Sequence, residues 1–350
     1  MKILFITLVS ISFFDLHSLL AASLPEGYVV GWGLLPLGGC YGVVLPSQSS
    51  TGAVTVAGQL LSNAVAISAG FNHSLALKSD GTVFGWGLNL NEDATGAYSG
   101  TEDTNGSVRI SGNVLSNVVA VSAENAGSLA LKSDSTVVPW GSNEDTNVII
   151  GLSNIVAVDH WLALKRDGTV VSWGENSRAK AVAPTGLSNV VAIAAGRNGY
   201  SISLALKRDG TLVEWRGNGN EGTVPSDATN VVAIAGGSLH RLALKKDGTV
   251  FGWGQANANG EVTGVPSFTD FSSGQVALGG RVLSNVVAVA AGTRFSMALK
   301  TDGTVVAWGE NGFHQTDVPA GLSNVVAIAA GENFGLAITT NRAVAEKFRH

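Results

Sequence analysis

Three histidines stand at the same position of a repeated phrase, and histidine is a common zinc ligand. They are His73, His160 and His240, in the phrases FNHSLALK, VDHWLALK and SLHRLALK. A three-histidine zinc site needs ring nitrogens within about 2.1 Å of one ion. Side chains on separate copies of a repeat lie too far apart to converge in this way. We therefore predict structural roles for all three histidines and no metal.

Acidic side chains gather in the segment NLNEDATGAYSGTEDTNG (89–106), which includes Asp93, Glu102 and Asp103. Because calcium is held by several carboxylate and carbonyl oxygens, these three residues are weak calcium candidates. The segment lacks the glycine and the terminal glutamate of an EF-hand loop. A solvated acidic loop is the interpretation that we favour.

Other patterns predict no catalysis and no cofactor. The segment RGNGNEG (216–222) contains G-x-G-x-x-G, but TVPS follows it, where a dinucleotide site requires a helix. A lysine recurs near a turn in six repeats, yet an aspartate follows each one and the net charge is −5, which argues against nucleic-acid binding. The sequence has no Ser–His–Asp order and no recurrent pair of carboxylates. We expect a protein that is not an enzyme.

These residues lie in copies of one repeat, which is clearest at 283–309 as LSNVVAVAAGTRFSMALKTDGTVVAWG. Whole or partial copies occur at 61–87, 115–141, 152–174, 187–217, 228–254 and 322–340. Each copy has three short phrases rich in Val, Ala and Leu, which predict strands, and the first phrase does not alternate, which predicts burial on both faces. Asp–Gly between the last two phrases, as in Asp247–Gly248, predicts a two-residue hairpin turn with glycine at positive φ.

The number of repeats predicts an all-β fold, a seven-bladed β-propeller of antiparallel sheets. The Trp of the third phrase occurs in six copies, and a seventh, Trp32, lies upstream in EGYVVGWG (26–33), while the last copy lacks its third phrase. We predict that the N-terminal strand 27–33 pairs with residues 335–339 in the last blade and closes the ring. The tail AVAEKF (343–348) is the alternative source of that strand. Each repeated Trp should be buried between blades.

Three connections between repeats are long, at 34–60, 88–114 and 255–282. They share an ending with alternating apolar residues, which predicts an outer strand preceded by an added loop. Short connections with proline, such as 181–189 and 316–324, are also expected to form an outer edge strand. Since the ring closes beside the seventh repeat, the long loops fall on one arc.

Aromatic residues on exposed loops favour protein interfaces. The long connections carry such residues, and the predicted partner contacts are Tyr98, Phe268, Asp270 and Phe271. We therefore expect the decorated arc to bind a protein.

The first 22 residues differ from the rest of the chain. A lysine, an apolar stretch and small residues near Ala22 are the layout of a secretory signal peptide. We expect a signal peptide at 1–22, one propeller domain at 23–350 and a secreted protein, extracellular or periplasmic. The later apolar runs are too short to cross a membrane as helices, so no membrane insertion is expected. With Cys40 as the single cysteine, no internal disulfide can form, and we expect a monomer.

The pattern LSNVVAIAAG…HSLALKxDGTVxxWG resembles the repeat of the regulator of chromosome condensation family, over about residues 27–340. The resemblance implies a seven-bladed propeller. The eukaryotic founder of that family exchanges guanine nucleotide on a nuclear GTPase. The repeat sequence of this chain is more similar to that of secreted bacterial propellers, such as the one that inhibits β-lactamases. We expect a secreted, non-catalytic protein-binding propeller. The alternatives are an enzyme or carbohydrate-binding propeller with its site at the mouth of the ring, and a guanine-nucleotide exchange factor.

Overall fold

The protein is described here by a computed structural model. It describes residues 25–33, 51–56, 58–88, 94–95, 103–123, 127–141, 149, 151–173, 182–197, 202–216, 222–255, 257–268 and 271–349. For Leu88 and for residues 103–105 it describes the backbone alone. The predicted signal peptide and Cys40 lie outside the described residues.

Each of the six complete repeats forms one antiparallel sheet, because its three phrases become three successive strands. Upstream of them lie β1 (Tyr28–Gly33), β2 (Gly52–Ala53) and the hairpin of β3 (Thr55–Val56) and β4 (Gln59–Leu60). Sheet 1 contains β5 (Ala64–Ala69), β6 (His73–Lys78), β7 (Val83–Leu88) and β8 (Asp103–Ser107), and the hairpin of β9 (Arg109–Ile110) and β10 (Asn113–Val114) follows it.

The next three sheets have three strands each in the described part of the chain. Sheet 2 contains β11 (Val118–Ala123), β12 (Gly127–Lys132) and β13 (Val137–Gly141). Sheet 3 contains β14 (Ile155–Asp159), β15 (Leu162–Lys165) and β16 (Val170–Ser172). Sheet 4 contains β17 (Val190–Ala195), β18 (Ile202–Lys207) and β19 (Leu212–Arg216).

The remaining strands complete the chain. Sheet 5 contains β20 (Val231–Gly236), β21 (His240–Lys245), β22 (Val250–Gly254) and β23 (Ser272–Gln275), and it is followed by the hairpin of β24 (Ala277–Leu278) and β25 (Arg281–Val282). Sheet 6 contains β26 (Val286–Ala291), β27 (Phe295–Lys300) and β28 (Val305–Gly309). Last come β29 (Val325–Ala330), β30 (Phe334–Thr339) and the short helix α1 (Arg342–Glu346).

The N-terminal strand β1 lies in the same sheet as the last repeat. Sheet 7 has the order β2–β1–β30–β29, with Tyr28 opposite Thr339 and Gly33 opposite Phe334. This is the pairing that the sequence predicted for 27–33. The alternative, in which residues 343–348 supply the strand, is wrong, because most of that tail forms α1, which packs on β1 and β30.

The first strands of the sheets contact one another in chain order. Contacts join β5, β11, β14, β17, β20, β26 and β29 in sequence, and β29 also contacts β5. Apolar clusters lie between successive sheets; one of them joins sheets 7 and 1 and includes Trp86. Of the repeated tryptophans, Trp32, Trp86, Trp173, Trp215 and Trp253 are each at most 1% exposed. Their predicted burial between neighbouring sheets is confirmed.

The Asp–Gly turns contain glycine at positive φ, as predicted, but they are longer than two residues. At Gly248 φ is 79°. The Gly248 amide donates to the Lys245 carbonyl at 2.9 Å, and the Lys245 amide donates to the Thr249 carbonyl at 2.9 Å. The Asp247 carboxylate accepts hydrogen bonds from the Thr249 amide and hydroxyl. A β-turn followed by a left-handed glycine therefore replaces the predicted two-residue turn, and the aspartate stabilises it.

Among the described residues, outer strands occur in three sheets, where the connection is long: β8, β23 and β2 are the fourth strands of sheets 1, 5 and 7. The prediction of an outer strand in the short connections is wrong for 310–324, which is fully described and forms turns alone. There the Leu322 amide donates to the Pro319 carbonyl at 3.0 Å, so a tight turn leads directly into sheet 7. No helix in the described part of the chain has the length and apolar character to cross a membrane.

Candidate functional site

Two long connections fold back over the third strand of their own sheet, at a glycine that precedes the repeated Trp. A β-carbon on Gly85 would overlap the Ala94 carbonyl, and one on Gly252 would overlap the Val262 carbonyl. Only glycine permits such a close approach of two backbones. Sheet 7, which also has a long connection, carries Gly31 at this position, whereas the other sheets carry Pro139, Ser172, Glu214 and Ala307. This signal was present in the sequence and was missed.

The connection from sheet 5 is the better described of the two, and Asn257 organises it. Asn257 is 2% exposed. Its Nδ2 donates to the Val265 carbonyl at 2.9 Å, its Oδ1 accepts from the Val262 amide at 2.8 Å, and its carbonyl accepts from the Ser267 amide at 2.8 Å. Residues 257–268, the sheet 5 insert, therefore have a fixed backbone.

The sheet 5 insert is also fixed to the next sheet through the backbone of Glu261. The Glu261 carbonyl accepts hydrogen bonds from Trp308 Nε1 at 3.1 Å and from the Ser296 hydroxyl at 2.8 Å. A similar contact joins sheets 6 and 7, where Trp32 Nε1 donates to the Gln315 carbonyl at 3.0 Å. The tryptophans thus hold the connection of the preceding sheet in place.

Apolar side chains on and beside this rigid insert are exposed. Phe268 is 90% exposed, Val265 is 54% exposed and Phe271 is 41% exposed. Phe271 immediately precedes β23, whose Ser272 lies opposite Gly254 at the end of β22. We call Val265, Phe268 and Phe271 the insert surface. Two of the predicted contacts, Phe268 and Phe271, belong to it, while Tyr98 and Asp270 lie outside the described residues.

Little of the predicted calcium loop is described. Asp93 and Glu102 lie outside the described residues, and Asp103 begins β8 opposite Leu88, with its backbone alone described. Elsewhere in the described chain no three His, Cys, Asp or Glu side chains are grouped as metal ligands. The calcium candidates stay a prediction.

His73 and His240 are structural residues, as predicted. His73 Nε2 shares a hydrogen bond of 2.8 Å with the hydroxyl of Ser128 in the next sheet, and His240 Nε2 shares one of 2.9 Å with Ser296. Burial lowers the pKa of each imidazole to about 3, so both are neutral near pH 7. They link neighbouring sheets.

His160 occupies the same position in the sequence but a different place in the fold. Its repeat has lost the AAG phrase, and His160 stands in the shortened turn with φ 48°. Its Nδ1–H donates to Asp159 Oδ1 at 2.7 Å, and Asp159 Oδ2 accepts from the Ala195 amide of sheet 4 at 2.9 Å. The His160 amide donates to the Ser122 hydroxyl of sheet 2 at 3.0 Å. The Asp159–His160 pair therefore joins three sheets at their inner strands.

Arg197 completes these contacts, and the sequence analysis did not identify it. Its Nη1 donates to the Ala69 carbonyl of sheet 1 at 2.8 Å, and its Nε donates to the Ala291 carbonyl of sheet 6 at 3.1 Å. Its amide donates to the Gly237 carbonyl beside sheet 5 at 3.3 Å. Arg197 lines a central cavity of about 40 Å³ together with Ser68, Asp159, His160 and alanines of the first strands.

Perturbed carboxyl groups do not converge on this cavity. Burial raises the pKa of Glu332 to about 7, and burial raises the pKa of Glu261 as well. Neither residue lines the cavity. Glu214 is buried elsewhere, 3.2 Å from Arg241 Nη2, and its Oε2 accepts from Trp253 Nε1 at 2.8 Å. Asp159 is the one acid in the described lining of the cavity.

The fold is that of a β-propeller. Prp20p from Saccharomyces cerevisiae superimposes with a TM-score of 0.66 at 17% identity, covering 96% of this chain and 97% of that chain. Human WBSCR16 superimposes with a TM-score of 0.67 at 17% identity, covering 89% of this chain and 99% of that chain. The ectodomain of the Physcomitrella patens receptor kinase CR4 superimposes with a TM-score of 0.50 at 18% identity, covering 75% of this chain and 66% of that chain. At these identities the likeness shows the fold alone.

Part of the sequence matches a family model. Residues 64–92, 231–261 and 286–315 match the regulator of chromosome condensation (RCC1) repeat. Three stretches of the chain therefore carry the RCC1 repeat, within a fold that is shared with Prp20p. No curated protein sequence matches the chain. The similarity to secreted bacterial propellers stays a prediction.

Proposed function

We propose that the chain is a non-catalytic, protein-binding β-propeller of seven blades that contacts its partner through the insert surface. The observation that carries this proposal is Phe268, a phenylalanine that is 90% exposed beside a backbone fixed by Asn257 and Glu261. Burying such a side chain contributes about 1.5–3 kcal/mol. Because the backbone is already ordered, less of that free energy is lost to ordering on binding.

The seven sheets are, in this proposal, the blades of one ring. The first strands contact one another in a continuous series that returns from β29 to β5. Pairing of β1 with β30 supplies the third strand that the last repeat lacks. A ring of this kind covers the sheet edges that its two ends would otherwise expose. The long connections of blades 7, 1 and 5 would then decorate its rim.

The size of the central cavity favours binding over catalysis. A volume of about 40 Å³ is far below the roughly 300–1,000 Å³ of sites for organic ligands. A propeller of the same fold also binds proteins. The yeast protein Prp20p binds Gsp1p and histones, and it forms a complex with Kap60. That description supports a protein partner here but does not name one. Guanine-nucleotide exchange is the second role that this likeness suggests.

Variants of the insert surface test the proposal. The tagged protein and its Phe268→Ala/Phe271→Ala variant would capture proteins from the medium or periplasm of the native cells, and affinity would be measured with the purified partner. We expect the variant to lose tenfold or more in affinity with an unchanged melting temperature. Phe313→Ala is the matched control, since Phe313 is 39% exposed on the turn that follows sheet 6. Equal affinity of the double variant and the parent protein would refute the proposal.

We also propose that residues 1–22 direct export and are removed. The apolar stretch of this segment and the small residues near Ala22 support this. Mass spectrometry of the exported protein should give a mature chain that starts at Ser23. A full-length chain confined to the cytosol would contradict export and would leave the proposed binding surface unaffected.

A further inference from the structure

The volume of the central cavity limits what can bind in it. Its volume of about 40 Å³ exceeds the roughly 10–15 Å³ that one water requires. It is too small for an organic substrate. The cavity therefore accommodates a few waters or a small ion.

The polar groups that line the cavity and remain free are mainly donors. Arg197 uses Nε and Nη1 in its bonds to Ala291 and Ala69, and Nη2 has no hydrogen bond within the described part of the chain. The Ser68 hydroxyl accepts from the Ala123 amide at 2.9 Å, which leaves its own hydrogen for another acceptor. Both oxygens of Asp159 already accept hydrogen bonds. These groups suit an acceptor with negative charge.

Charge also favours an anion at this place. Burial lowers the pKa of the Arg197 guanidinium while the charge of Asp159 opposes that shift, and an arginine remains charged near pH 7. The rest of the described lining is largely alanine, and Asp159 is its one acid. A low-polarity lining strengthens the attraction of the guanidinium for an anion.

From this geometry we propose that the central cavity is a binding site for a small monovalent anion of the size of chloride or bromide, held by Arg197 Nη2 and the Ser68 hydroxyl. The anion links the first strands of several sheets at the centre of the fold.

Bromide provides a direct test. Crystals of the full chain soaked in sodium bromide should show an anomalous peak in the cavity, within hydrogen-bond distance of Arg197 Nη2. In solution the melting temperature should rise with sodium chloride or bromide relative to sodium gluconate at equal ionic strength, because the larger gluconate cannot enter.

Two variants distinguish a specific site from general salt effects. Arg197→Met should abolish the anomalous peak and the halide-dependent rise, and Ser68→Ala, which keeps the arginine contacts, should weaken both. Bromide found only on the surface would show an adventitious ion only. That result, or equal melting in chloride and gluconate, would overturn the proposal. Partner capture by the insert surface would be unaffected, so the two proposals fail separately.

Discussion

The carbonyl of Val262 lies where a β-carbon on Gly252 would stand. The sheet 5 insert can therefore pack on β22 only if position 252 has no side chain. The same relationship holds between Ala94 and Gly85 in sheet 1. In sheets 1 and 5 a glycine before the repeated Trp thus allows the connection to fold back over the third strand.

Gly252→Ala tests this relationship. The added methyl group meets a backbone carbonyl that is held by Asn257 and Glu261, so it should cost at least about 1–3 kcal/mol of unfolding free energy. Chemical denaturation measures the loss, and limited proteolysis should show cleavage in 257–268. Gly106→Ala is the matched control, because nothing lies within 4 Å of its β-carbon position. Equal stability of the two variants would contradict the packing described here.

Trp253 joins two sheets, and its removal should be costly. Trp253→Ala leaves a cavity and also removes the donor that satisfies Glu214, so we expect a loss of about 3–5 kcal/mol. Trp253→Phe keeps most of the ring volume and loses the hydrogen bond, so it should cost clearly less. Equilibrium unfolding in urea measures both variants. Near-native stability of the alanine variant would show that the Trp does not hold the sheets together.

Buried neutral histidines make the fold sensitive to acid. Because the pKa values of His73 and His240 are about 3 in the fold and about 6.5 when unfolded, the unfolded chain binds more protons between those values. Stability should fall as the pH drops from 6.5 towards 3, by up to about 1.4 kcal/mol per pH unit for each site.

His240→Gln should flatten this dependence, measured as unfolding free energy between pH 6.5 and 4. Phe313→Ala is the control, since that exposed side chain has no titratable group and its loss should leave the slope unchanged. An unaltered slope in His240→Gln would mean that His240 is protonated in the fold.

The repeats made much of the fold predictable. Strand positions, burial of the tryptophans and the pairing of residues 27–33 with the last repeat all follow from phrases that recur in register. The geometry of the turns was harder to predict from the sequence. The Asn of every LSN phrase has positive φ, as at Asn63 and Asn324. The residue after this Asn contacts the Asp–Gly turn of the preceding sheet, as in the hydrogen bond from the Val325 amide to the Gly303 carbonyl. Such a contact joins two different repeats, so the pattern of one repeat does not report it.

The candidate sites were less predictable. Phe268 and Phe271 were identified as exposed aromatic residues on a long loop, but the rigidity given by Asn257 depends on bonds within an irregular segment that has no repeat. Arg197 bonds to carbonyls 94 and 128 positions away, in sheets 6 and 1. A single sequence has no pattern that reports such contacts.

Deleting residues 25–33 tests the role of β1 in sheet 7. Without β1, Leu336 and Ile338 lose their cover and β30 becomes an exposed edge, so we expect aggregation or loss of cooperative thermal unfolding. A deletion of 342–350, which removes α1 but leaves the β1–β30 pairing, should unfold cooperatively at a lower temperature. Differential scanning calorimetry distinguishes these outcomes. Cooperative, parent-like unfolding without 25–33 would contradict closure by β1.

Hydrogen exchange with the captured partner tests the proposed function most directly. If the insert surface binds the partner, amides at 257–268 and 271–275 should exchange more slowly in the complex than in the free protein. Amides of the Asp–Gly turns, such as Gly168 and Gly210, lie at the other end of the sheets and should be unchanged. Protection confined to those turns, with unchanged exchange at 257–275, would contradict the proposal.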